Sequence, residues 1–69
     1  MLNVEDYAVH RKTGWIGKVT GYGHLMLNGT YLPTLKVHLL KGSGAVQGSI
    51  IEDLSSSWME VEAEYSHSV

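Results

Sequence analysis

Residues Gly14–Gly23 read GWIGKVTGYG. Glycines alternate with Trp, Ile, Val and Tyr, between two segments of strand-like composition. Glycine inside an extended run lets a strand coil sharply and pass close to its neighbour, so the stretch predicts a bent β-hairpin arm and, with it, a small closed barrel. It does not resemble a catalytic loop. The spacing G-x-x-G-x-x-x-G is not the dinucleotide fingerprint, and it leads into a strand where phosphate binding requires a helix.

Working outward, Asp6–His10 (DYAVH) predicts a first strand, with a turn at Arg11–Gly14. Trp15–Tyr22 is the second strand, bent at Gly17 and Gly21. Gly23–Thr30 reads as a longer connection ending in Asn28-Gly29, the strongest short-range hairpin signal of the chain. Tyr31–Leu40 alternates strictly, with Tyr31, Pro33, Leu35, Val37 and Leu39 on one face and Thr34, Lys36 and His38 on the other, which describes a strand with one dry face. Pro33 marks an edge or a bulge near its start. After a turn at Lys41–Gly44, Ala45–Ile51 is the fourth strand, Glu52–Ser57 suits a single 3₁₀ turn, and Trp58–Glu62 is a short fifth strand with Met59 and Val61 inward. The fold class expected is therefore all-β: a five-stranded antiparallel SH3-like or Tudor-like barrel over residues 1–62, with one 3₁₀ turn before the last strand and a frayed tail over 63–69.

The 69 residues allow one domain, and a chain of this length has a small core and marginal stability. There is no cysteine, so neither a disulfide framework nor a Cys-based zinc site is available. No basic-then-apolar leader opens the chain and no apolar run approaches a membrane span, so a cytoplasmic protein is expected. Net charge is −2. Arg11, Lys12, Lys18, Lys36 and Lys41 all fall in the first 41 residues, whereas Glu52, Asp53, Glu60, Glu62 and Glu64 follow with no cation among them. Scattered cations on an acidic chain speak against nucleic acid, which requires a dense basic stripe, and in favour of docking on a protein.

No catalytic constellation emerges. His10, His24, His38 and His67 lack metal-ligand spacing, the serines lack a nucleophile elbow, and no cofactor or metal is implied. An enzyme is not expected. The aromatic residues Tyr7, Trp15, Tyr22, Tyr31, Trp58 and Tyr65 are many for so small an interior, and Trp and Tyr favour interfaces. Leu25-Met26-Leu27 places large apolar side chains in the expected connection. Two arrangements fit them: an extension of the second hairpin packed on the barrel, or an exposed arm that meets a partner. The partner-binding set expected is Trp15, Leu25 and Met26 as apolar anchors, with Lys12, Lys18 and Lys36 for steering. A homodimer through the His24–Leu27 arm is compatible with this.

The run VEDYAVHRKTGWIGKVTGYG, followed by NGTYLPTLKV, resembles the RNA-polymerase-interacting domain of CarD-type transcription regulators and transcription-repair coupling factors. Asp6, His10, Gly14, Gly17, Gly29, Tyr31 and Leu32 occupy places matching that family's glycine-rich pattern, over about residues 4–62. Glu5 stands where the family usually has Gly, Trp15-Ile16 adds bulk after Gly14, and Leu25-Met26-Leu27 replaces an arm that often supplies an arginine. The resemblance implies a Tudor-like barrel that binds the β subunit of bacterial RNA polymerase through strand-edge contacts. In size and architecture the chain is also similar to small SH3-like accessory subunits of photosynthetic electron-transfer complexes, which implies docking of an acidic ferredoxin on Arg11, Lys12, Lys18 and Lys36. A KOW-type nucleic-acid-binding barrel is the remaining alternative.

Overall fold

The computed structural model describes residues 2–41 and 48–61. They form strands β1 (Tyr7–His10), β2 (Ile16–Leu27), β3 (Thr30–Lys41), β4 (Ile50–Leu54) and β5 (Trp58–Glu60), with a 3₁₀ turn at Ser55–Ser57. The sheet is antiparallel throughout, in the order β4-β3-β2-β1-β5. The expected tail over 63–69 and the start of the expected fourth strand, 45–47, lie outside the described residues.

The central hairpin is longer than expected. β2 continues through Leu27, and the connection shrinks to Asn28-Gly29, with φ of 51° and 77°. Both values are positive, the geometry of a tight turn whose twist matches the flanking strands. The residues misread as a loop, His24–Leu27, are paired with Pro33–Thr30. Two register shifts coil the hairpin: Thr20 is an extra residue on β2 and Leu40 an extra residue on β3. Gly17 lies under the second of these, where a Cβ would overlap the His38 carbonyl and the Val37 side chain.

The core forms on one face. Ala8, Val19, Leu35, Val37, Leu39 and Trp58 are buried there with Leu2, and Trp15 and Ile51 pack against them. The predicted dry face of β3 is dry only from Leu35 onward; Tyr31 and Pro33 are exposed. In β5 the inward residue is Trp58, not Met59, which is exposed. The fourth strand runs past Ile51 to Leu54 because Asp53 faces inward, opposite Leu35, and bonds to His10 there. An inward aspartate hides the alternation that would have extended the strand.

The hydrogen-bonded ladder is open, with β4 and β5 as its edges, so the closed barrel expected from the glycines is not formed by strand pairing. The sheet is nevertheless strongly rolled. A flat sheet would hold β1 and β4 about 14 Å apart and β4 and β5 about 19 Å apart. Yet His10 Nε2 of β1 lies 2.8 Å from Asp53 Oδ2 of β4, and only Ser55–Ser57 separate β4 from β5. The Arg11 amide donates to the Ser57 carbonyl and the Arg11 Nε to that of Ser56, so the 3₁₀ turn and the turn after β1 bridge the open seam.

Candidate functional site

Among the described residues His10 is the one histidine set in the core, and its partners fix its role. Nδ1 accepts the amide N–H groups of Lys12 and Thr13, each at 3.3 Å, so the ring proton sits on Nε2 and is donated to Asp53. The ring meets Trp58 edge-on at 4.8 Å between centroids and lies 6.1 Å from Trp15. The carboxyl of Asp53 is held below the usual carboxylate range, first by the hydrogen bond from His10 and next by the amide of Leu54. A His–Asp pair invites a catalytic reading. Here both ring nitrogens are engaged within the fold, so His10 has no free nitrogen with which to take a proton from a nucleophile. Among the described residues no group of His, Asp and Glu is placed to hold a metal ion.

The β2–β3 arm carries a continuous run of exposed apolar side chains. Leu25, Met26 and Leu27 are 45%, 53% and 50% exposed, and Tyr31 67%. The two arrangements considered from sequence are thus combined: the residues extend the hairpin, and they remain in water. Strand geometry sends Leu25 and Leu27 to the outer face and Tyr22, His24 and Met26 to the inner one. Tyr22 donates its hydroxyl to the Leu2 carbonyl at 3.2 Å, and the rings of His24 and Tyr31 meet edge-on.

The arm's inner face forms one wall of a groove of about 510 Å³. Tyr22, His24 and Pro33 face Ser55, Trp58 and Glu60 across it. Trp58 Nε1 is buried and, among the described residues, has no hydrogen-bond partner. No sequence signal marked this groove, because residues from both ends of the chain meet only when the sheet rolls.

Among the described residues, the arm also has an unpaired backbone edge. Leu27 and Thr30 flank the two-residue turn and are the hydrogen-bonded pair there. Counting back, Leu25–Leu32 and Gly23–Thr34 are hydrogen-bonded pairs, whereas Met26–Tyr31, His24–Pro33 and Tyr22–Leu35 are not. The amides and carbonyls of Tyr22, His24 and Met26 therefore point away from β3. On that side the segment before β1 covers the edge only as far as Val19, which exchanges hydrogen bonds with Glu5 and Asp6. The opposite edge of the arm is guarded: Pro33, which has no N–H to offer, stands just beyond Thr34, the last residue of β3 paired with β4. From Thr20 to Leu27 the β2 edge has neither proline nor charge.

The expected partner-binding residues do not form one patch. Leu25, Lys18 and Lys36 share the outer face, but Met26 lies on the inner one. Trp15 and Lys12 sit at the far end of β2, some 30 Å from the tip of the arm at strand rise. Trp15 is half-buried against the core. Lys18 is 3.6 Å from Glu5 and its ammonium lies 5.3 Å from the Tyr7 ring centroid; Lys36 is exposed, opposite Glu52. The arm thus unites Leu25, Met26 and Leu27, the apolar run marked in the sequence, with Tyr22 and Tyr31, which were not among the expected contacts.

Comparison with known protein families, curated proteins and solved structures found no match. No helix among the described residues is long and apolar enough to cross a membrane.

Proposed function

We propose that the chain is a non-catalytic protein-binding module of the cytoplasm, built as an SH3-like or Tudor-like barrel, that engages its partner by adding a strand to the β2 edge. One observation carries this reading: the stretch Gly21–Leu27 is an uncharged strand edge, unpaired among the described residues, with half-exposed Leu25, Met26 and Leu27 on it. Edges left in this state invite pairing, and natural sheets usually blunt them with charge or proline. Main-chain bonds to the edge give affinity and the alternating side chains give specificity.

The strand order, with a 3₁₀ turn before the last strand, supports an SH3-like barrel. The backbone supports the CarD-type resemblance at particular places: Gly14 and Gly29 have φ of 78° and 77°, and Glu5, where that family usually carries Gly, has φ of 84°. These are conformations suited to glycine. The β subunit of bacterial RNA polymerase is accordingly the first heterologous partner to test. A photo-crosslinking side chain at Leu25, on the outer face of the arm, is expected to capture that subunit, whereas one at Thr13, in the turn far from the arm, is not. Capture by both positions alike, or by Thr13 alone, refutes docking through the arm.

A further inference from the structure

We propose that the β2 edge pairs with the same edge of a second copy, antiparallel about a two-fold axis at His24, joining two rolled sheets into one. The proposal rests on the strand-edge reading above and names the occupant. An antiparallel pair of identical strands is self-complementary, as a two-fold interface requires. The β2 residues whose amides and carbonyls point away from β3 are Tyr22, His24 and Met26, and one register engages all of them: Tyr22 opposite Met26 of the second copy, His24 opposite its symmetry mate, and Met26 opposite Tyr22. That register forms about six backbone hydrogen bonds.

The side chains fit the same register. On the outer face Leu25 lies across from Gly23 of the second copy and Leu27 across from Gly21, so each leucine meets a bare backbone rather than another branched side chain. On the inner face the Met26 thioether lies across from the Tyr22 ring, a favourable sulfur–aromatic pairing. Electrostatics raise no objection. No charged residue lies between Thr20 and Leu27, and the nearest charges, Lys18 and Glu5, already face each other. The area bounds the strength. Half-exposed Tyr22, Leu25, Met26 and Leu27, with the strand between them, would cover on the order of 800 Å² in total, below the ~1,200 Å² of a standard stable interface. The assembly expected is a reversible dimer with a dissociation constant in the micromolar range.

The test is sedimentation velocity on the purified full chain from about 5 to about 500 µM, with amide hydrogen exchange on the same samples. His24→Pro removes an N–H that points away from β3, so it leaves the β2–β3 ladder whole; His24→Lys keeps every backbone donor and sets two cations face to face at the axis. The wild type is expected to pass from monomer to dimer across this range, and both variants, folded by their amide spectra, to bind at least about tenfold more weakly. Should the proline variant not fold, the lysine variant alone decides. A wild type that stays monomeric, with rapidly exchanging His24 and Met26 amides, overturns the second copy as occupant and leaves the edge to a foreign strand. A monomer in which those amides are protected overturns the edge reading as well. A dimer that neither variant weakens overturns the proposal by placing the contact elsewhere.

Discussion

Replacing His10 with alanine tests what holds the rolled sheet together. His10 is 8% exposed; it bonds Asp53 across the sheet, accepts two amides of the following turn, and packs edge-on against Trp58. A hydrogen bond to a charged group contributes about 1.5–3 kcal/mol, but the Asp53 side chain is 43% exposed and water replaces part of it, so about 1 kcal/mol is the reasonable share. Loss of the edge-on ring contact adds about 0.5–1.5 kcal/mol, and the long amide contacts to Nδ1 add less. The expected destabilisation is about 2–3 kcal/mol. A domain of 69 residues has roughly 3–10 kcal/mol in all, so the variant would lose a large part of its stability and about 10–20 °C in Tm. Urea denaturation followed by tryptophan fluorescence measures it, since Trp15 and Trp58 both flank the ring. Asp53→Asn should cost less than about 1 kcal/mol, and the double variant should show a coupling of about that size. If His10→Ala costs under about 0.5 kcal/mol, or the two sites prove additive, the bond from β1 to β4 does not hold the roll.

Three further outcomes follow from named groups. Glu5→Gly relieves a φ of 84° and gives up only the exposed contact with Lys18, so it should raise stability by about 0.5–1 kcal/mol in thermal melts; a loss would contradict the assigned turn. Trp58→Phe removes a buried N–H without a hydrogen-bond partner among the described residues, and the gain of about 1–3 kcal/mol from discarding it should offset the lost ring volume, leaving the urea midpoint nearly unchanged; a fall of several kcal/mol would mean that the indole N–H is satisfied. Because the Asp53 carboxyl is held below its ordinary value, its contribution is complete above about pH 4 and is lost as pH falls through the lowered value. The stability difference between wild type and Asp53→Asn should therefore shrink in acid; a difference that grows there would reverse the assigned sign.

The parts of the fold legible in the sequence were those set by local chemistry. Asn28-Gly29 marked the tight turn because few other dipeptides accept two positive φ values, and Leu35, Val37 and Leu39 announced a dry face by simple alternation. Errors arose where a residue's role is fixed at a distance. Gly23 and His24 look like a loop in sequence; as a strand they are held by pairing to Thr34 and Pro33. Asp53 looks like a surface residue until His10, 43 positions away, receives it. Strand closure was overread, since glycines report coiling but not whether two short edge strands find each other. Of the site, Leu25 and Met26 were readable as apolar residues in an odd place. That their strand edge is bare could be known only from where β1 and β4 stop.

Amide hydrogen exchange at residue resolution on a dilute, monomeric sample tests the free edge most directly. Gly23, Leu25 and Leu27 are expected to be protected by β3, while His24 and Met26 between them exchange at rates near those of an unfolded chain. Uniform protection from Gly23 to Leu27 would show the edge already covered, and uniform lack of it would show that the arm is not a strand; either result contradicts binding by strand addition at β2.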